Sequence, residues 1–252
     1  MAPRTGPLMA LVVELPVLPS PVDELWHTLL DLGDRLDVPW ALIGGQMVLL
    51  HAIENGQVPP QVSQDGDVIA DVRAVPGALT HVVTSLEGMG FALQGISADG
   101  LAHRYTRPAE PRPVVIDVLA PEGLGQRADL TTTPPGRTIE VPGGTQALGR
   151  TERITVVHEG RRGTIPRPTL LAAIVGKAAA TALPGPDRHY RDLALLCALV
   201  EDPFDLGDQM TRKDRQRLRL ARSLLDDVHP AWLLVPGAIR SAGQIAYGVL
   251  HG

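Results

Sequence analysis

The chain has 252 residues, a formal net charge of -5 and 44% hydrophobic residues. This apolar fraction is too high for an intrinsically disordered protein, and the length suits one large domain or two small ones. Proteins that bind nucleic acid through bulk charge are strongly basic, so the acidic balance argues against that class. Because Phe, Trp and Tyr make up only 3% of the chain, the core must be mainly aliphatic.

The N-terminal half alternates short apolar runs with amphipathic stretches, which is typical of an α/β domain. A capping serine at Ser20, a proline and two acids predict a first helix that ends near Leu36. Further helices are predicted over residues 46–54 and 76–87. Strands are predicted over residues 40–43, 67–72, 91–93, 103–106, 114–119, 138–141 and 153–157.

From Pro168 onward the periodicity is helical, with helices predicted over residues 168–183, 187–200, 207–227 and 236–250. We therefore predict an α/β domain over residues 1–166 and a helical domain over residues 167–252. The fold class is α/β (α+β), a mixed sheet with helices followed by a helical C-terminal region.

Cysteine content and hydropathy exclude several further classes. The single cysteine, Cys197, rules out an internal disulfide and a cysteine-cluster metal site, and its apolar neighbours predict a buried, unreactive thiol. The apolar stretch 8–13 is far shorter than the roughly 20 residues that span a bilayer. No secretory signal is visible, so we expect a cytoplasmic protein without a membrane partner.

Two carboxylates one residue apart follow the second predicted helix. If the chain is extended there, the side chains of Asp65 and Asp67 lie on the same face. Two like charges this close repel each other unless a cation lies between them, and hard oxygen ligands suit Mg²⁺ together with substrate phosphates. An Asp-x-Asp segment is also a common solvated turn, so the motif alone leaves both interpretations open.

A third acid and a pair of glycines extend the pattern. Asp117 lies in the middle of an apolar strand, where a lone carboxylate is costly unless it is paired or bound to metal. Arg104, on a strand that could adjoin it, offers an ordinary ion pair as the alternative. The Gly44-Gly45 turn opens a helix whose free N–H groups could bind phosphate. One site with two metal ions, a triphosphate and a carboxylate base would account for all three acids.

Two other features have plainer alternatives. His51 could hydrogen-bond near the site, although a satisfied helix histidine is the more common case. A basic stretch of Arg and Lys between Arg212 and Arg222, opposed only by Asp214, is typical of a solvated face. Contact with phosphate or RNA is the alternative for this stretch.

These motifs resemble the nucleotidyltransferase superfamily with the polymerase-β-like fold. Its signature is an apolar strand, Gly-Gly or Gly-Ser, a helix, Asp-x-Asp on the next strand and a later third acid. The corresponding segments here are Leu42-Ile43-Gly44-Gly45, Asp65-Gly66-Asp67 and Asp117. Within the superfamily the chain is most similar to the AbiEii-type toxin nucleotidyltransferases, since segment 170–179 resembles their lysine-bearing helix and segment 187–196 the helix that follows.

The resemblance implies that Asp65 and Asp67 hold Mg²⁺ and that Asp117 completes the metal site or acts as the base. It implies nucleotide contacts at Gly44, Gly45, Ser63 and Lys177. Asp192 would orient Lys177 or a neighbouring arginine.

The function implied is Mg²⁺-dependent transfer of a nucleoside monophosphate from an NTP to a hydroxyl of tRNA, protein or a small molecule. A toxin of this kind would have a cognate antitoxin as a partner. The alternative is a catalytically degenerate protein that binds nucleotide or a partner without turnover. It is motivated by Gly66, where an apolar residue is usual, and by Gln61 in the place of an arginine. A third hypothesis, an aminoglycoside-modifying enzyme, shares the chemistry but differs in the acceptor.

Overall fold

The computed structural model describes residues 12–59, 61–125 and 128–252. The strands are β1 (Val12–Glu14), β2 (Trp40–Ile43), β3 (Asp65–Ala70), β4 (Ala92–Leu93), β5 (Arg104–Arg107), β6 (Val114–Pro121), β7 (Glu140–Val141), β8 (Thr151–His158) and β9 (Arg161–Pro168). The helices are α1 (Val22–Arg35), α2 (Gly44–Glu54), α3 (Ala78–Glu87), α4 (Gly144–Gly149), α5 (Leu170–Ala180), α6 (Asp187–Ala198), α7 (Pro203–Asp208), α8 (Arg212–Leu218), α9 (Pro230–Leu233) and α10 (Gly237–His251).

The main sheet has the strand order β2-β3-β6-β5-β4, and β7 pairs with the end of β6. β3 is antiparallel to β2 and parallel to β6, while β5 is antiparallel to β6. A second sheet has the order β1-β8-β9. The predicted fold class, a mixed sheet with helices followed by a helical C-terminal region, is confirmed.

Helix α1 packs against both sheets, and two strand glycines allow the close approach. A Cβ atom at Gly66 of β3 would lie 3.0 Å from Leu25 Cδ1, and one at Gly163 of β9 would lie 2.8 Å from Leu30 Cδ2. Leu25 and Leu30 are fully buried. Gly66 therefore makes room for the helix on one face of β3, on the side opposite to its neighbours in the Asp-x-Asp segment.

The C-terminal helices have a second apolar core, which includes the fully buried Trp232 and Cys197. Burial raises the pKa of the Cys197 thiol, as expected for an unreactive side chain. This core also takes in Met47, Val48 and Ala52 of α2. Because α2 contributes to it, the C-terminal helices are built onto the α/β part, and the division between residues 166 and 167 remains a proposal.

Several local predictions are wrong. Ser20 does not cap α1, because its hydroxyl donates to the Glu110 carbonyl oxygen and the cap residue is Pro21. The helix predicted over residues 207–227 is broken into the end of α7, then α8 and a 3₁₀ helix, Arg219–Leu225. Strand β9 and helix α4 were not predicted. Residues 8–11 of the apolar stretch 8–13 lie outside the described residues.

His51 of α2 is a core histidine at the far end of that helix from Gly44. It is 2% exposed, and its Nε2 lies 3.0 Å from the carbonyl oxygen of Pro168 at the end of β9. Burial and the nearby Arg167 charge lower the pKa of His51 to about 3. The hydrogen bond therefore involves the neutral imidazole, which ties α2 to β9, and the interpretation of His51 as a satisfied helix histidine is confirmed.

This burial makes the fold sensitive to acid. His51 takes up a proton near its ordinary pKa of 6.5 once unfolded but only near pH 3 when folded, so the free energy of unfolding falls as pH drops through that window. One such group contributes a slope of about 1.4 kcal/mol per pH unit. We expect His51→Gln to flatten the pH dependence of urea unfolding by roughly this amount, whereas His81→Gln, at an exposed position, leaves it unchanged. Equal slopes in all three proteins would contradict the assignment.

Candidate functional site

Three carboxylates lie on one face of the main sheet. Asp65 and Asp67 alternate along β3 and so point to the same side, and Asp67 stands directly opposite Asp117 on the parallel strand β6. Strand β3 begins at Asp65, two residues earlier than predicted, so both acids lie on regular strand. The sheet therefore places the three predicted acids on one of its faces.

Arg104, on the neighbouring strand β5, forms an ion pair with Asp117. Arg104 of β5 is paired with Asp117 in the sheet, and its Nε and Nη2 donate to the two carboxylate oxygens over 2.8 and 2.7 Å. Its Nη2 also lies 3.5 Å from Asp65 Oδ2. The hydrogen bonds to Asp117 raise the pKa of Arg104 further above its ordinary value. The ion pair left open by the sequence therefore forms, and it compensates the charge of Asp117.

The start of α2 is pressed against the same acids. Gly44 has a φ of +72°, and a Cβ atom there would lie 1.7 Å from Asp67 Oδ2. A Cβ atom at Gly45 would lie 2.4 Å from the Cβ of Ser63. Both positions therefore require glycine, and the turn brings the unpaired N–H groups at the start of the helix beside Asp67 and Ser63. Gln46 fixes this approach by donating to the Ser63 carbonyl oxygen over 2.6 Å.

The C-terminal helices carry positive charge toward the acids. Lys177 of α5 is buried, and its Nζ donates to Asp192 Oδ2 of α6 over 2.6 Å. Arg188, one turn before Asp192 on α6, is exposed and donates from Nε to His189 Nε2 over 3.3 Å. Burial and the charges of Lys177 and Arg188 lower the pKa of His189 to about 4, so the ring is neutral at pH 7 and able to accept this bond.

Burial and the neighbouring charges together shift the pKa of Asp67. Burial raises the pKa of Asp67 to about 6, and the charges of Asp117 and Asp65 act in the same direction, while Lys177 and Arg188 oppose them. Burial also raises the pKa of Asp65, against the effect of Arg104. Burial is therefore the main cause of the raised pKa of both acids, and a bound cation would favour their ionised form.

The donor set fits a hard divalent cation at Asp65 and Asp67. Both offer carboxylate oxygens, which Mg²⁺ prefers, with the remaining positions left for water and phosphate. Asp117 differs because Arg104 already binds both of its oxygens, although a carboxylate has further lone pairs. Within the described ranges, the three acids do not form a cluster whose ligand atoms all lie within 4.8 Å of one another. Asp65 and Asp67, which have no arginine among the described residues bound to both oxygens, are therefore the acids most open to a cation.

Arg188 and His189 were not predicted as site residues. The sequence pattern could have indicated Arg188, because it lies four residues before Asp192 and so shares the same face of α6. The same spacing could not show that His189 would be buried and neutral. Arg191, the residue before Asp192, donates to Gln61 Oε1 over 2.7 Å.

Comparisons with known proteins add little to this geometry. No family model matches the chain, and no curated protein matches it. Among solved structures, the chain is similar to the antibiotic-resistance factor ANT(2'')-Ia, with 17% identity, a TM-score of 0.43, and coverage of 82% of this chain and 94% of that one. At this identity and TM-score the likeness does not identify a function, so we infer the function from the site itself. In the described part of the chain, none of the helices has the length and apolar character needed to cross a membrane.

The contact between Gly44 and Asp67 makes a testable prediction about stability. Gly44→Ala adds a methyl group to a left-handed residue and drives it into Asp67, whereas Gly56→Ala, with φ of +66° and open space around it, adds only the backbone penalty. We expect Gly56→Ala to cost about 1 to 2 kcal/mol and Gly44→Ala about 1 to 3 kcal/mol more. Urea unfolding of the two variants measures the difference, and equal losses would show that the turn does not pack tightly on Asp67.

Proposed function

We propose that this protein is an Mg²⁺-dependent nucleotidyltransferase, which moves a nucleoside monophosphate from an NTP to an acceptor hydroxyl. The observation that carries the proposal is the placement of Asp65, Asp67 and Asp117 on one sheet face, with the start of α2 packed directly on Asp67. The charges of Lys177 and Arg188 reach this face from the C-terminal helices. A cation, a triphosphate and a hydroxyl need such a combination of acids, free N–H groups and basic side chains.

The proposed reaction is a displacement at the α-phosphorus. The acceptor oxygen forms a bond to this phosphorus, the bond between the α-phosphorus and the bridging oxygen breaks, and pyrophosphate leaves with the electron pair. The hydroxyl proton passes to a carboxylate base, for which Asp117 is the proposed group. Arg104 holds Asp117 by both oxygens and so fixes its direction. Catalysis of this type depends on positioning and on compensation of phosphate charge.

Mg²⁺ is proposed to be held by Asp65 and Asp67, with Asp117 as the third acid of the site. When bound, the ion would compensate the charge of the phosphates and polarise the phosphoryl oxygen. A carboxylate must be ionised to bind it, and burial raises the pKa of Asp67 to about 6. Ion and proton therefore compete for Asp67 below neutral pH.

Lys177 and Arg188 are proposed to receive the phosphates. Lys177 is held by Asp192, which keeps its charged end at the edge of the site. Arg188 is exposed and donates only its Nε to the neutral His189. The remaining N–H groups of its guanidinium can therefore bind an anion. The N–H groups at Gly44 and Gly45, with the Ser63 hydroxyl, would provide the remaining contacts.

The acceptor and the biological role belong to the same proposal. The acceptor is a hydroxyl of tRNA, protein or a small molecule. The resemblance to AbiEii-type enzymes favours a toxin with a cognate antitoxin, acting in the cytoplasm where NTP is available. Of the basic stretch, Arg215 donates to the Gly207 carbonyl oxygen and Arg217 pairs with Glu122. Arg212, Lys213, Arg219 and Arg222 are exposed and are the part of the stretch that can contact an RNA acceptor.

Arg104 also supports a second candidate function, a catalytically degenerate protein that binds nucleotide without turnover. The guanidinium is bound to both oxygens of Asp117 and lies 3.5 Å from Asp65, so it compensates part of the charge a metal would use. Gly66 no longer argues for degeneracy, because it makes room for Leu25 rather than loosening the strand.

Transfer of radiolabel from the α-phosphate of an NTP tests the main proposal. We expect labelling of an acceptor in bacterial lysate by the wild-type protein with Mg²⁺ and one of the four NTPs. Asp67→Asn should reduce it by at least about 100-fold, the scale for loss of one essential electrostatic contact. Asp99→Asn, on an exposed loop, is the matched control and should label like the wild type.

Calorimetry separates the two candidates if no label is transferred. Mg²⁺-dependent NTP binding without transfer would favour the degenerate binding protein. Neither binding nor transfer, in protein shown to be folded, would contradict both. Labelling that is equal in wild type and Asp67→Asn would contradict the assignment of the acid face as the active site.

A further inference from the structure

A second group of metal-binding side chains lies on the other side of the molecule's main sheet. We propose that Asp23, His27, His158 and Glu159 form a binding site for a divalent transition metal of the zinc class. Helix α1, which carries Asp23 and His27, packs on the face of β3 that Gly66 presents, whereas Asp65 and Asp67 point to the opposite face. The proposed metal site is therefore separate from the acid face and does not depend on the proposed function.

Two of the ligands come from one face of α1. Asp23 and His27 are four residues apart, which places them one turn from each other. His27 Nε2 lies 3.8 Å from Asp23 Oδ1. Both side chains are partly exposed, so an ion can reach them from solvent.

The other two ligands come from the hairpin between β8 and β9. His158, the last residue of β8, is 1% exposed, and its Nε2 lies 2.6 Å from Asp23 Oδ1. Glu159 begins the turn with a φ of +48°, an uncommon value for a residue with a side chain, and Gly160 continues it. Glu159 Oε2 lies 3.4 Å from His27 Nε2.

The spacing of these atoms suits a small ion. The ligand atoms of Asp23, His27 and His158 all lie within 4.8 Å of one another. Zinc binds imidazole nitrogen and carboxylate oxygen at about 2.0 to 2.2 Å, so neighbouring ligand atoms of a tetrahedral site lie about 3.4 Å apart. The three separations, 2.6, 3.4 and 3.8 Å, bracket this value, and the shortest is a hydrogen bond between His158 and Asp23 that a bound ion would replace. Small rotations of the side chains would complete the site. His158 is held by burial, whereas Asp23, His27 and Glu159 are at least partly exposed.

The chemistry of the donor set selects the metal. Two imidazoles with two carboxylates suit zinc and its transition-metal neighbours, whereas Mg²⁺ prefers oxygen ligands alone. The surroundings already hold the two elements together, since Arg161 of β9 pairs with Asp31 over 2.6 Å and donates to the His27 carbonyl oxygen over 3.4 Å. The ligands are thus already close to one another, and a bound ion would link the β8–β9 hairpin to the start of α1.

Zinc affinity tests the proposal, measured by competition with a chromophoric chelator on full-length protein stripped of metal. We expect one equivalent of Zn²⁺ to bind the wild type and to raise its Tm by linkage. His27→Gln, at a partly exposed position, should weaken this binding at least about tenfold. His81→Gln removes an exposed histidine on α3 and is the matched control, expected to bind like the wild type.

Two further variants keep the result decisive. Glu159→Gln gives a second ligand loss should His27→Gln fold poorly, and it should also weaken Zn²⁺ binding. Asp67→Asn alters the acid face and should leave this affinity unchanged. Unchanged affinity in both ligand variants would overturn the site, as would a loss of binding in Asp67→Asn that the ligand variants do not show.

Discussion

The candidate site depends on one close contact, between Gly44 at the start of α2 and the carboxylate of Asp67 on β3. No side chain larger than hydrogen fits there, because a Cβ atom would lie 1.7 Å from Asp67 Oδ2. The contact fixes the start of a helix, with its unpaired N–H groups, beside the pair of acids on β3. Since α2 also contributes to the core of the C-terminal helices, the same element aligns those helices with the sheet. The two halves of the chain therefore meet at the acid face, where the charges of Lys177 and Arg188 reach Asp67.

Charge is distributed unevenly over this face. Arg104 binds both oxygens of Asp117, while Asp67 has no such partner among its described contacts and its pKa is raised to about 6 by burial and by its acidic neighbours. The positive groups on the helices are themselves restrained, Lys177 by Asp192 and Arg188 by a neutral histidine. Asp67 is partly buried, and a bound cation would stabilise its ionised form. The placement of the acids on one sheet face, with the start of α2 packed on Asp67, is the physical reason for proposing a metal-dependent reaction.

The sequence predicted that the acids share one face of the sheet, because the signals for this placement are local. The alternation of Asp65 and Asp67 follows from strand geometry, and the apolar neighbours of Asp117 placed it on a buried strand. The other half of the site depends on tertiary contacts. Whether Asp117 pairs with Arg104 depends on which strands are neighbours, and the neutrality of His189 depends on its burial. Strand β9 escaped prediction because its glycine and prolines are typical of loops, although an edge strand tolerates them.

The location of a bound metal ion would show whether Asp65 and Asp67 form a cation site. Crystals grown with Mn²⁺ and a non-hydrolysable NTP analogue would show the ion by anomalous scattering. We expect a peak between the carboxylates of Asp65 and Asp67, with the phosphates against the start of α2 and directed toward Lys177 and Arg188. A nucleotide bound elsewhere, or a manganese peak that avoids both carboxylates, would contradict it.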